Sequence, residues 1–538
     1  MAGGTEMIAH HASPVPLTVE QAVGQKTLLA FDGHEPPAEF LSLLRRRHVG
    51  GVTLFRGPNV KDPEQVRKLT SALQLAASDA GQPPLLICAD QEGGTLLALA
   101  GTTPFPGNMA LGAARSPELA RRTGYAIGRE LAAMGINVNY APVCDVIVSS
   151  SAALVGPRSF GEDPGEVGRL AGAVVAGLQQ AGVAATAKHF PGHGDTSVDS
   201  HYGTPVLPHG EERLRMVELP PFVAAIEAGA KLVMTAHIAL PALTGGLELP
   251  ATMSSEVLRG LLRRELGFEG LIVTDAMNMG AIQQGHGLVI DAIASLAAGA
   301  DLLLLTDSGE CQEGVYAGVL QAAQRGLLSQ EETLASAGRV LDLKAWASGH
   351  EQPGLEVVRC EEHLALAYEV GAKSVTLVRD RGGILPLQLP AGARVVAIVP
   401  RPTDLTPADT SSFETPSFAA ALRRYHPAVE EVVVPLDPSA EAVAALRDRL
   451  AGCDLAVVGT INAGDHPGQA ALVNALLEDG TRVLAVALRL PYDLAAYPAA
   501  PAYACTYSLQ PHSLEALADA FWGRIPFVGR LPVSVEGT

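Results

Sequence analysis

Eight short apolar runs punctuate the first 350 residues of the chain: Thr27–Phe31, Gly51–Phe55, Leu85–Ala89, Asn137–Val143, Val183–Lys188, Leu232–Ala236, Leu271–Thr274 and Leu302–Leu305. Longer amphipathic stretches separate them. Runs that are apolar throughout, rather than at alternate positions, suit strands buried on both faces, as in a parallel sheet covered by helices. Eight such repeats predict an α/β fold that begins with a (β/α)8 TIM-like barrel over residues 17–349, after an N-terminal tail over residues 1–16. A doubly wound nucleotide-binding sheet would alternate in the same way. However, no G-x-G-x-x-G follows an early strand and no G-x-x-x-x-G-K-[ST] occurs, so nucleotide binding gains little support.

The pattern breaks at Gly349-His350-Glu351-Gln352-Pro353-Gly354, which places an interdomain linker over residues 350–360. Beyond it a second, smaller α/β sandwich is expected over residues 361–538. Its strands are read at Ser374–Val378, Val395–Val399, Val432–Val434, Leu455–Val458, Val483–Val486 and Ala502–Cys505, and its helices at Glu361–Val370, Phe418–Tyr425, Ala440–Ala451 and Ser513–Trp522. No dense cluster of titratable residues falls in this half. It reads as scaffold, or as one wall of a cleft.

Composition narrows the class. Of 538 residues 48% are hydrophobic but only 4% aromatic, which fits aliphatic helix and sheet cores. The formal net charge of -19 argues against nucleic acid or an anionic membrane as partner. Cys88, Cys144, Cys311, Cys360, Cys453 and Cys505 show no C-x-x-C spacing, and several sit inside apolar runs, so they read as reduced core residues. Met1–Pro16 lacks a basic segment followed by an apolar one, and no apolar run is long enough to span a bilayer. A cytoplasmic protein is the expectation.

A parallel barrel carries its chemistry at the C-terminal ends of its strands. Asp90, Asp145, Lys188-His189, His237, Asp275 and Asp307 all stand at such ends. Capping of the following helix accounts for an isolated strand-end acid, and that account is given to Asp145 and Asp307. Asp90 and Asp275 are kept as functional candidates. The densest stretch is Lys188-His189-Phe190-Pro191-Gly192-His193-Gly194-Asp195-Thr196-Ser197-Val198-Asp199-Ser200-His201. After His189 its Pro and Gly content forbids helix or central strand, so a cation and several imidazoles enter a loop where a strand runs out. Three readings stand: a polar surface loop, a metal site, or a catalytic loop in which Asp199 orients His201 and favours its protonated form. Zinc is disfavoured because no carboxylate-histidine pair has i, i+4 spacing and no cysteine is near. No metal or other cofactor is expected.

That stretch, closed by Asp199-Ser200-His201, resembles the signature of family 3 glycoside hydrolases, in particular the β-N-acetylglucosaminidase branch that includes two-domain bacterial cell-wall recycling enzymes. The resemblance extends to Asp90-Gln91-Glu92-Gly93-Gly94, to Arg158-Ser159-Phe160-Gly161-Glu162-Asp163-Pro164 and to Val273-Thr274-Asp275-Ala276-Met277-Asn278-Met279, and it runs from about Leu17 onward. It implies a retaining exo-acting enzyme that removes terminal N-acetylglucosamine from peptidoglycan-derived or chitin-derived saccharides. On it, Asp275 is the nucleophile, His201 the acid/base, and Asp199 the orienter of His201. Asp90, Arg158, Lys188 and His189 are implied as contacts to the sugar. Physically, a short acid on a strand end suits a nucleophile that tolerates little slack. A histidine with a carboxylate partner titrates near neutrality without deep burial.

One departure stands out. The family commonly has an arginine within a few residues of the Asp-Gln-Glu-Gly-Gly run, whereas here Thr95-Leu96-Leu97-Ala98-Leu99-Ala100 follows. A cation expected at the sugar pocket is therefore missing from that position. Two other functions remain open at this point. A neutral His acid/base does not repel phosphate, which would permit a phosphorylase. A carbohydrate-binding barrel without chemistry is the non-enzymatic reading, disfavoured by the presence of Asp275, Asp199 and His201.

Overall fold

The computed structural model describes residues 17–148, 155–196, 203–282, 286–307 and 309–535. Eight parallel strands close into a barrel: β1 (Thr27–Leu29), β2 (Gly51–Thr53), β3 (Leu86–Ala89), β6 (Val138–Asn139), β7 (Ala184–Phe190), β8 (Leu232–Thr235), β9 (Leu271–Ala276) and β10 (Leu302–Leu305). A small antiparallel hairpin, β4 (Gln91–Gly93) with β5 (Leu96–Leu97), follows β3 at the barrel's C-terminal end. The expected TIM-like barrel is present, and each strand falls on one of the eight apolar runs. β6 ends at Asn139, shorter than its run, which goes on to include Pro142, a residue with no N–H to give a ladder. β7 is longer, running on through His189 and Phe190 where its apolar run ended at Lys188.

Several outer helices start alike. Pro63–Asp79, Pro117–Ala133 and Pro164–Gln180 each begin on proline, and the preceding Asp62, Ser116 and Asp163 side chains accept from backbone amides of the first turn. Inside the barrel Leu28, Leu86, Val138, Leu232, Val273 and Leu302 pack together, and Val340 and Leu343 of the helix Gln330–Ser348 join them. That helix closes the barrel at the N-terminal ends of the strands, where Lys26 and Ser336 also meet.

The second body is a six-stranded sheet in the order β11 (Thr376–Asp380), β16 (Ala502–Cys505), β15 (Val483–Ala487), β14 (Leu455–Thr460), β12 (Val395–Pro400) and β13 (Glu430–Val434). Only β11 runs antiparallel to its neighbour. A helix at Pro467–Glu478 was not read from the sequence. Its opening Pro467-Gly468 looks like a turn, but proline at the first helical position loses nothing because that N–H has no partner in the helix.

The two bodies are joined by specific contacts as well as a shared apolar core. His363 Nδ1 lies 2.8 Å from Glu130 Oε1, a carboxylate that also accepts from the Thr103 amide at 2.9 Å. Near the C-terminus the Glu162 amide donates to Pro532 O at 3.0 Å, and the Ser534 amide donates to the Glu162 carboxylate at 2.8 Å. The approach requires glycine at 161, since an added Cβ would lie 2.4 Å from Pro532 O. The C-terminal segment is thereby tied to the turn that carries Arg158.

Lys344, on the closing helix, is buried with Gln25 Oε1 accepting from its Nζ at 2.6 Å. Burial pushes its ammonium down to about 7, with no carboxylate to compensate. The unfolded chain keeps lysine near 10.4, so the fold binds fewer protons and the cost of Lys344 is whole below about pH 7 and fades as pH rises toward 10. Lys344→Met should therefore raise the thermal midpoint by a few degrees at pH 6. The gain should shrink at pH 10, where the stranded Gln25 oxygen dominates. A difference independent of pH would show that the lysine is charged in the fold.

Candidate active site

β3 ends at Ala89, and the chain turns directly into the β4–β5 hairpin. Asn139, at the end of β6, fixes that turn. It accepts from the Gln91 amide at 2.9 Å and donates to Gln91 O at 2.9 Å. Asp90 and Glu92 thereby face β7 from a held backbone. Lys188 Nζ reaches Asp90 Oδ1 at 2.5 Å and Glu92 Oε1 at 2.6 Å. Arg158 binds Glu92 from another side through two parallel bonds, Nε to Oε2 at 2.9 Å and Nη2 to Oε1 at 2.7 Å. Burial alone would push the Glu92 carboxyl up, but Arg158 and Lys188 bring it down to about 2. Lys188 in turn is opposed by burial yet held above its ordinary value by Asp90 and Glu92. The result is a charge-paired lattice of two acids and two cations.

A second lattice is built on Asp145. Its side chain is fully buried. Oδ2 sits 2.7 Å from His189 Nδ1, while Oδ1 accepts from the His193 amide at 2.7 Å and the His189 amide at 3.2 Å. Burial works against its ionisation, yet the two imidazoles and the amides keep it low. Asp145 therefore does not cap a helix, contrary to the sequence reading. It orients the histidine pair. Burial drives His193 down to about 4, leaving a neutral ring whose Nδ1 meets Thr196 Oγ1 at 2.6 Å.

Asp275 emerges at the end of β9, one residue before the strand stops. The Ala276 amide donates back to its Oδ1 at 2.7 Å. On the neighbouring strand end His237 is buried, with Nε2 3.1 Å from Ala276 O and Nδ1 2.8 Å from Thr252 Oγ1. This steadies the backbone that aims Asp275. Burial raises the Asp275 carboxyl, but His189, His237, the Ala276 amide and Lys188 together hold it below its usual range. It is an ionised acid, half-buried at the cavity wall.

These groups line one cavity of about 300 Å³ that takes in Asp90, Arg158, Lys188, His189 and Asp275. Its volume is at the small end for a ligand site. A broader groove of about 1160 Å³ adjoins it and shares Phe55, Ala276 and Met279. The second body supplies part of the wall through Asp409, Thr410 and Phe413. Asp409 is itself held by Arg489 at 2.6 Å. The Thr410 amide donates to Thr95 O at 2.8 Å and its Oγ1 accepts from the Leu97 amide at 3.0 Å. Of the two sequence readings for the second body, cleft wall is the one that holds.

Asp90, Arg158, Lys188, His189 and Asp275 are thus brought together, although Asp90 and Arg158 lie 68 positions apart in the chain. Asp199 and His201 lie outside the described residues. Where an arginine was expected after Gly94, Leu96 and Ala98 face the cavity. Sequence reasoning missed that Glu92 and Asp145 hold the cations and histidines in place and that Arg56 lines the cavity. Asp145 carried a signal, since an acid flanked by Val143-Cys144 and Val146-Ile147 must be buried and partnered. Arg56 stands at a strand end like Asp90, and the same rule would have found it.

Residues 18–343 match the glycosyl hydrolase family 3 N-terminal domain. The chain is 35% identical over 429 residues to beta-hexosaminidase A of Pseudoalteromonas piscicida, covering 72% of this chain and 71% of that protein. It is 30% identical over 549 residues to a beta-N-acetylglucosaminidase/beta-glucosidase of Cellulomonas fimi, covering 96% and 93% respectively. The structure of a glycoside hydrolase family 3 beta-N-acetylglucosaminidase from Paenibacillus sp. str. FPU-7 superposes with a TM-score of 0.91 at 37% identity, over 97% of this chain and 100% of that one.

Because Glu92 answers two buried cations, Glu92→Gln should destabilise the protein by about 3–5 kcal/mol at pH 7, the usual cost of stranding buried charge. Its folded value of about 2 lies below the unfolded value of about 4.3, so its contribution is complete above about pH 5 and is lost as pH falls toward 2. Thermal midpoints of wild type and variant should draw together as pH falls from about 5 toward 2. A constant gap over that range would mean that Glu92 is not the ionised partner.

Proposed function

The chain belongs to glycosyl hydrolase family 3, and on that premise we propose that it is a retaining exo-β-N-acetylglucosaminidase acting on peptidoglycan-derived or chitin-derived saccharides. The observation that carries this reading is Asp275, an ionised carboxylate on a rigid strand end inside a cavity sized for a small ligand. A pocket rather than an open trench suits attack at a chain end. The adjoining groove offers room for the leaving saccharide.

In this reading Asp275 attacks the anomeric carbon and the glycosidic bond breaks, while His201 gives its proton to the departing oxygen. Water then gives a proton to His201 and attacks the same carbon, releasing the Asp275 carboxylate; two inversions give retention. Asp199 keeps His201 oriented and raises its proton affinity. Asp90 and Lys188, already paired, bracket hydroxyl positions with an acceptor and a donor, and Arg158 and His189 complete the ring of contacts. Charged partners make those bonds stronger than neutral ones. The His189–Asp145 pair presents its far nitrogen, Nε2, away from the acid. All six cysteines are free, which supports a reducing compartment such as the cytoplasm.

Asp275→Ala should abolish turnover, a loss of at least about 10³-fold, without lowering the thermal midpoint. A mechanism-based inactivator that traps the glycosyl-enzyme should label Asp275. A label on any other residue overturns the nucleophile assignment. Paired nitrophenyl β-glycosides with and without the 2-acetamido group should show preference for the acetamido sugar. His201→Ala should lose far more activity on a natural disaccharide than on the activated aryl glycoside, because nitrophenolate departs without a proton. Equal fractional losses would remove His201 from the acid/base role.

A further inference from the structure

Arg56 is the pocket residue that the chemistry above leaves without a task. It opens the short helix Arg56–Asn59 directly after β2, and it lines the same cavity as Asp90, Lys188 and Asp275. Its guanidinium carbon lies 5.0 Å from the centre of the Phe413 ring, which the second body brings across the mouth of the cavity. The other two cations of the cavity are committed, Arg158 to Glu92 and Lys188 to Asp90 and Glu92. The Arg56 guanidinium makes no hydrogen bond or ion pair with any described residue. It feels Glu414 only at a distance, and burial already works against its charge. Burial pushes the Glu414 carboxyl up, while a Gln510 hydrogen bond and the charge of Arg56 pull it back, and no direct ion pair forms between Glu414 and Arg56.

A guanidinium stays charged in a protein and carries five N–H donors in a planar fork. Stacked on an aromatic ring, it has its face covered and its edge donors left for a planar or tetrahedral oxyanion. Holding such a group half-buried costs free energy unless something claims those donors. We propose that Arg56 is the specificity residue at the mouth of the cavity and that it binds an oxyanion, either a carboxylate on the leaving saccharide or an inorganic phosphate that accepts the sugar, with Phe413 as its positioning residue. This rests on the glycosidase reading above. It divides the candidate substrates by charge, since muramic-acid units of peptidoglycan carry a carboxylate and chitin units do not. In the phosphate case, a phosphate oxygen attacks the anomeric carbon of the glycosyl-enzyme, the bond to Asp275 breaks with its electrons returning to the carboxylate, and the phosphate proton passes to His201.

The competing account is that Arg56 merely braces the barrel against Phe413 and Glu414. Wild type, Arg56→Met, Arg56→Lys and Phe413→Leu, all as the full chain, separate the two. The substrates are the phenyl and 4-carboxyphenyl 2-acetamido-2-deoxy-β-glucosides, assayed with and without inorganic phosphate while sugar 1-phosphate is measured. In Arg56→Met, either the ratio of kcat/KM for the carboxyphenyl over the phenyl glycoside or the ratio of phosphorolysis to hydrolysis should fall about 10- to 100-fold, the scale of one lost charge-assisted pair. The loss should sit mainly in KM, and Arg56→Lys should restore part of it. Phe413→Leu should raise KM for the same oxyanion in the same direction. A fall in the first ratio identifies the leaving-group carboxylate, and a fall in the second identifies phosphate. If wild type turns over the phenyl glycoside and neither ratio moves in Arg56→Met, the Arg56 assignment falls and the glycosidase reading stands. If wild type turns over neither glycoside, both fall.

Discussion

Glu92 holds two cations that would otherwise repel each other in a dry place. Arg158 arrives from the turn after β6, and Lys188 from the interior of β7. Neither could be buried beside the other without a shared anion, because desolvation alone costs several kcal/mol per ion. With Glu92 between them, both can stand near Asp275, and Lys188 contributes to keeping that carboxyl ionised. The cavity's electrostatics therefore depend on an acid that itself faces the protein rather than the ligand space.

The same logic repeats at Asp145, where one buried acid fixes two histidines, and at Asp409, which Arg489 holds in the wall from the second body. Asp90, Lys188, Arg158, His189 and Asp409 of the cavity wall each have a buried partner that sets their orientation, which holds the cavity's geometry closely. The second body takes part in this. Its loop around Thr410 bonds to the backbone of Thr95 and Leu97, so the segment that lacks the expected arginine is shaped by a contact from across the domain boundary. Close approach at Gly161 and Pro532 ties the chain's end to the Arg158 turn as well.

The barrel and the second sheet were legible because burial on both faces writes uniform apolar runs into a sequence, and the strand-end rule picked out Asp90, Lys188, His189, His237 and Asp275 from those runs. Strand lengths were less legible. β6 stops at Asn139, three residues short of Pro142, and β7 runs on through His189 and Phe190, past the Lys188 at which its run ended. Asp145 was misread as a cap because a strand-end acid looks the same in sequence whether it faces an amide of the next helix or an imidazole from the next strand.

The order of residues along the chain is enough to give the set of elements and the reactive groups that must lie near one end of the barrel. Both follow from local rules, the period of burial and the polarity of a parallel strand. Packing in three dimensions settles which charges neutralise one another, that Glu92 serves both Arg158 and Lys188, and that Arg56 meets Phe413 from the other body with its donors unclaimed by any described residue. Those are pairings between segments far apart in the chain. Their free energy depends on distance and desolvation, which no run of neighbouring residues encodes.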